Sequence, residues 1–138
     1  MAAKNRILIV ENHPLFRDAL RQILSREPDF QIVGEARNIC EAIDSVGTLS
    51  PHLVLTDLRM SDSQGIQAVA EIKRHYPHVK VLVISFHSED EYKDQCRQAG
   101  ASGYVVKDAV HDELRDGIRT VLSGRTYLGT HAPREMVA

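Results

Sequence analysis

A doubly wound α/β fold with a parallel sheet is predicted by three features of the sequence. Five apolar runs are strand-sized, the intervals between them carry helical spacing, and the two kinds of segment alternate strictly. The runs are Ile7 to Val10, Phe30 to Val33, Leu53 to Leu55, Val79 to Ile84 and Tyr104 to Val106. Four of them are rich in Val and Ile, as strands covered on both faces should be. Each parallel crossover needs a helix and runs right-handed. Five repeats of strand and helix therefore give a flavodoxin-like (βα)5 sheet, with expected strand order 2-1-3-4-5.

The helices follow in turn. Leu15, Ala19, Leu20, Ile23 and Leu24 form the first stripe, introduced by Asn12 and Pro14 and stopped at Pro28. Ile39, Ala42, Ile43 and Val46 form the second, ended by Gly47 and Pro51. The third uses Ile66, Val69, Ala70 and Ile72 and stops at Pro77. From Glu89 to Ala99 the only inward candidates are Tyr92, Cys96 and Ala99, so the fourth helix is expected to be loosely anchored. Val110, Leu114, Ile118, Val121 and Leu122 make the fifth stripe, which ends at Gly124. Residues 1–128 are thus expected to be one domain, and Gly129 to Ala138 a tail or the beginning of a linker.

Composition narrows the function classes. The 138 residues suit one domain, and a 43% hydrophobic content suffices for its core. A net charge of -2 gives no sign of a surface built to grip nucleic acid. Cys40 and Cys96 have no C-x-x-C partner and read as buried thiols of a reducing compartment. The amino-terminal apolar run is too short for a signal peptide or a membrane span, so a cytoplasmic protein without membrane contact is expected.

In a sheet of this kind ligands bind beyond the carboxyl ends of the strands. Glu11 and Asn12 follow the first strand, Asp57 the third, Ser85 the fourth and Lys107 the fifth. Carboxylates with an amide oxygen suit Mg2+, and a carboxylate can attack phosphorus to form an aspartyl phosphate. A hydroxyl and an ammonium can then bind the phosphoryl oxygens. Taken singly, Glu11 could be a helix cap, Ser85 a strand-end hydroxyl and Lys107 a solvated charge; only their combination points to phosphoryl chemistry.

The runs Ile7-Leu-Ile-Val-Glu-Asn-His-Pro14, Leu53-Val-Leu-Thr-Asp-Leu-Arg-Met60, Val83-Ile-Ser85 and Ala99-Gly-Ala-Ser-Gly-Tyr-Val-Val-Lys-Asp108 carry a specific resemblance. Together they resemble the receiver domains of the NarL/FixJ (LuxR-type) group of two-component response regulators, over roughly residues 5 to 127. The resemblance implies a regulator, not an enzyme, with Asp57 as phosphoacceptor supplied by a histidine kinase. It implies Mg2+ held by Glu11, Asn12, Asp57 and the backbone carbonyl of Arg59. Ser85 and Tyr104 would be the switch pair, and Lys107 would bind the phosphoryl group. It further implies a possible homodimer, and DNA contact only through a helix-turn-helix output domain that these residues do not include. The chain is accordingly expected to be a piece of a longer regulator.

Three positions depart from the group. Asn12 stands where members carry an acidic Mg2+ ligand. A unit charge at ~4 Å in an effective dielectric of ~20 is worth ~4 kcal/mol, and a third of that is ~10-fold in affinity. Weak Mg2+ binding is therefore expected, while the lost charge also relieves repulsion in the empty site. Ser61 and Asp62 replace the usual Pro and Gly, which makes a more mobile loop and adds an anion. The competing reading is a pseudo-receiver, an interaction module that signals without phosphorylation. Enzyme readings fit poorly. A haloacid dehalogenase-type hydrolase needs a second Asp where Arg59 stands, and dinucleotide binding needs a Gly-rich turn where Glu11-Asn-His-Pro14 has no glycine.

Overall fold

The computed structural model describes residues 4–57, 59–60, 63–86 and 90–129. Ser61, Asp62, Glu89 and the tail beyond Gly129 lie outside the described residues. Five parallel strands form the sheet: β1 (Asn5–Val10), β2 (Phe30–Ala36), β3 (Leu53–Asp57), β6 (Lys80–Ser85) and β7 (Gly103–Val106). Their order is β2-β1-β3-β6-β7, the predicted 2-1-3-4-5 arrangement of the long strands. Two short strands, β4 (Arg59–Met60) and β5 (Ser63–Gln64), pair antiparallel beside it. The helices are α1 (Pro14–Ser25), α2 (Ile39–Leu49), α3 (Gly65–His75), α4 (Asp90–Ala99) and α5 (Val110–Leu122), the last preceded by a 3-10 turn at Lys107–Ala109.

Alternation along each strand divides the core in two. Ile7, Ile9, Leu53, Leu55, Leu82, Ile84 and Val105 pack under α1 and α5. Leu8, Val10, Val54, Val81, Val83, Tyr104 and Val106 pack under α2, α3 and α4. β3 is buried along its whole length, which is why it carries almost no polar side chain before Thr56 and Asp57.

Several details differ from the sequence reading. Leu15, placed in the first stripe, is 76% exposed; the inward face of α1 is Leu20, Ile23 and Leu24, with Phe16 packed alongside. His13, not Asn12, caps α1, its ring accepting the Phe16 N–H at 3.4 Å. Gly47 does not end α2, which continues to Leu49 and closes at Ser50 in the left-handed region. A Cβ on Gly47 would stand 2.6 Å from the Tyr76 hydroxyl, so the glycine makes room for a neighbouring ring. Ala68, not Ala70, faces inward from α3. Cys96 is buried as expected, whereas Cys40 is exposed because it follows the inward Ile39 by one residue, about 100° around the helix. Burial pushes the Cys96 thiol up to about 11.

α4 is anchored by Cys96 and, unexpectedly, by Lys93, which is 3% exposed. Among the described residues its ammonium has no hydrogen-bond partner. An unsatisfied buried cation opposes the packing of the helix that carries it.

Two measurements check this packing. In urea denaturation, Leu20→Ala is expected to cost about 2–5 kcal/mol, and Leu15→Ala, on the same helix, no more than about 0.5 kcal/mol. Lys93→Met is expected to raise stability by about 1–3 kcal/mol, since it keeps the packed stem and removes a buried charge that has no hydrogen bond among the described residues.

Candidate functional site

Parallel register brings four strand ends level. Val10 of β1 pairs with Thr56 of β3, so Glu11 stands beside Asp57; Asp57 pairs with Ile84 of β6, and Ser85 with Val106 of β7. Lys107 is the next residue after β7. Glu11, Ser85 and Lys107 are the first polar residues after their apolar runs and Asp57 follows Thr56; all four are buried, Glu11 at 0%, Ser85 at 3%, Asp57 at 6% and Lys107 at 7% exposure.

The contacts are direct. Lys107 Nζ lies 3.2 Å from Asp57 Oδ2 and 3.3 Å from Glu11 Oε1, so one ammonium bridges two carboxylates. Glu11 Oε2 accepts the His13 backbone N–H at 3.1 Å, which ties the carboxylate to the start of α1. Oε1 is buried without an aligned hydrogen bond. Burial, and then the Asp57 carboxylate, raise the Glu11 pKa; Lys107 and the His13 N–H oppose them. With two anions against one cation, the site has room for a second positive charge.

An open cavity of about 520 Å³ overlies this cluster. Glu11, Asn12, His13, Asp57 and Lys107 form its polar side, and Leu15, Phe16, Ala19 and Phe86 its apolar side. Asn12 is exposed at the mouth. Lys107 Nζ sits 4.4 Å from the Phe16 ring centroid and 5.1 Å from that of Phe86, so two aromatic faces bracket the ammonium. Sequence reasoning missed both rings. Phe86 carried a usable signal, since it directly follows the strand-end Ser85; it is 54% exposed.

The remaining predicted residues are placed as follows. Tyr104, on β7 opposite Val83, is 1% exposed with its ring in the α4-side core. Arg59 lies in β4, where it pairs with Gln64. Among the described residues no group of three His, Cys, Asp or Glu side chains is placed to hold a metal ion.

The sequence profile of the response regulator receiver domain matches residues 7–119. The chain belongs to the response-regulator receiver family. Similar curated proteins include the transcriptional regulatory protein DegU of Brevibacillus brevis, 34% identical over 125 residues, which covers 91% of this chain and 53% of DegU. The DNA-binding transcriptional activator DevR/DosR of Mycobacterium tuberculosis is 31% identical over 133 residues, 96% of this chain and 61% of that protein. The chain thus spans between half and two thirds of the length of these relatives. A LuxR-family two-component response regulator from Aurantimonas sp. SI85-9A1 superposes with a TM-score of 0.91 at 29% identity, covering 98% of this chain and 96% of that one. The receiver domain of the putative response regulator NarL from Mycobacterium tuberculosis gives 0.82 at 32% identity, covering 90% and 100%. The receiver is therefore a two-component response-regulator domain similar to the LuxR/NarL group.

Breaking the buried bridge is expected to be costly. Lys107→Met should lower stability by about 3–5 kcal/mol, because it leaves two buried carboxylates facing each other. Adding Glu11→Gln should recover more than half of that loss; a double-mutant cycle in urea measures it.

Proposed function

We propose that this receiver accepts a phosphoryl group on Asp57 from a histidine kinase and passes the change to a transcriptional output. The observation that carries the reading is the buried bridge from Lys107 to both Asp57 and Glu11, at distances of 3.2 and 3.3 Å. An ammonium held on two carboxylates is already positioned to bind phosphoryl oxygens on one of them.

Asp57 acts as the nucleophile. A carboxylate oxygen attacks phosphorus, the bond from phosphorus to the donor's imidazole nitrogen breaks, and the imidazole leaves with a proton. Lys107 exchanges part of its pairing with Asp57 for the incoming phosphoryl oxygens. Ser85, buried at the neighbouring strand end, supplies a hydroxyl to the same oxygens, and Tyr104 follows it as the ring whose packing reports the change. Phe16 and Phe86 keep the ammonium facing the carboxylates and limit access of water to them.

The donor set fits Mg2+. Glu11 Oε1 is a buried oxygen without an aligned hydrogen bond, and burial beside Asp57 makes its negative charge costly. Glu11, Asn12, Asp57 and the Arg59 carbonyl would hold the ion. When bound, Mg2+ neutralises charge on the phosphoryl oxygens. Binding is weak, since Asn12 brings an amide dipole where an acidic residue would bring a charge.

A second reading, the pseudo-receiver, is favoured by Asn12 alone: a site with less repulsion can hold an active-like arrangement without phosphate. For the output, DegU is described as a transcriptional regulator and DevR/DosR as a DNA-binding activator, each longer than this chain. Control of transcription through a further domain, with the receiver as the regulated part and not as an enzyme, is the corresponding role here. Pairing of two receivers is compatible with it.

Incubation with acetyl phosphate and Mg2+ is expected to add the mass of one phosphoryl group to the wild type and none to Asp57→Asn. Mg2+ titration should show Asn12→Asp binding about 10-fold tighter than wild type. An intact-mass spectrum without the adduct, even at high Mg2+, would favour the pseudo-receiver.

A further inference from the structure

The chain does not leave the domain at the end of α5. After Gly124, whose φ of +96° turns the backbone, residues 125–129 run back along the free edge of β7. Tyr127 forms a parallel bridge with Gly103: its N–H donates to the Ser102 carbonyl at 2.9 Å, and its own carbonyl accepts the Tyr104 N–H at 2.8 Å. The segment therefore adds a one-residue bridge to the edge of the five-stranded sheet, hydrogen-bonded to the backbone of Tyr104 itself.

Its side chains alternate as a strand's should. The Tyr127 ring packs on the α5 side, against Gly117, where a Cβ would come within 3.1 Å of the ring. Its hydroxyl donates to Glu113 Oε1 at 2.9 Å, and Glu113 is only 9% exposed. Leu128 packs on the opposite side, in the cluster that holds the Tyr104 ring and Cys96. Gly129, at φ +86°, lies so close that a Cβ would be 3.3 Å from Glu113 Oε1 and 3.7 Å from the Tyr104 carbonyl. A glycine inside a helix is less stable than an alanine there. At position 117 the exchange gives the Tyr127 ring its seat.

We propose that residues 125–129 are a strap coupled to Tyr104, docked when the Tyr104 ring is buried and loosened when the ring leaves the core. This rests on the reading of Asp57 as phosphoacceptor and of Tyr104 as the moving ring. The strap is attached to β7 through the backbone N–H of the residue that carries that ring. It also leads directly into whatever follows Gly129. Phosphorylation that favours the buried ring thus tightens the strap and fixes the direction in which the chain leaves the domain. By linkage, the strap in turn favours the phosphorylated state.

The test uses the full chain, with beryllofluoride and Mg2+ as the probe and amide hydrogen exchange read residue by residue by NMR. On binding, the Tyr104 and Tyr127 amides are expected to slow together, by about fivefold or more. Tyr127→Phe keeps the ring on Gly117 and removes only the hydroxyl bond to Glu113; it should weaken beryllofluoride affinity several-fold. A merely structural strap would lose stability in that variant without any change in affinity. Binding that slows the Tyr104 amide and leaves the Tyr127 amide unchanged overturns the proposal. If wild type binds no beryllofluoride at any Mg2+ concentration, it is the phosphoacceptor reading that fails. The strap is then decided in ligand-free protein: Tyr127→Phe and Glu113→Gln must both shift the Tyr104 ring resonances, and unshifted resonances reject the coupling.

Discussion

Lys107 keeps a positive charge where water is almost excluded, and it does so because two carboxylates from different strands reach it at once. A buried ammonium with one imperfect partner would cost more than it returns. The bridge to Glu11 and Asp57 therefore requires β1, β3 and β7 to end at the same level, with no slip of register between them. A one-residue slip in β3 would turn Asp57 into the core and put Thr56 at the edge. The apolar alternation of the strands prevents that slip, so the two cores on either side of the sheet are what hold the charges in place.

The bridge leaves the site one positive charge short. Glu11 registers that shortage most strongly, being buried beside Asp57 and held by a single backbone N–H on its other oxygen. The position-12 side chain sits at the mouth of the cavity and not among the buried charges. Its change from acid to amide alters what the mouth attracts without unpicking the bridge beneath it. This explains how a chain with Asn12 can retain Asp57, Ser85 and Lys107 in an intact cluster.

Around this rigid centre the structure is less firmly tied on one side. α4 buries an ammonium that has no hydrogen-bond partner among the described residues, and the free edge of β7 is closed by a five-residue strap and not by a full strand. Elements with few apolar anchors or unsatisfied polar groups open at lower free energy than the core. The α4 and β7 side is thus where a small charge change at Asp57 can be converted into movement.

The sequence by itself determined the sheet, its strand order and the four strand-end residues. Periodicity of two against 3.6 and the demand for right-handed crossovers leave few alternatives, and a polar residue directly after a buried strand has one edge to occupy. It misjudged Leu15 and Cys40, because an apolar residue near a stripe can still point outward when the helix phase is set by Leu20, Ile23 and Leu24, or by Ile39, Ala42 and Val46. It took Leu128 for the end of the pattern, since two ring and aliphatic side chains after a glycine are too short a run to read as a strand. Only the tertiary structure decided that Phe16 and Phe86 flank the ammonium, that Lys93 is buried, and that Tyr127 finds Tyr104 and Glu113. Those are contacts between segments far apart in the chain, and their geometry comes from packing, which local spacing does not encode.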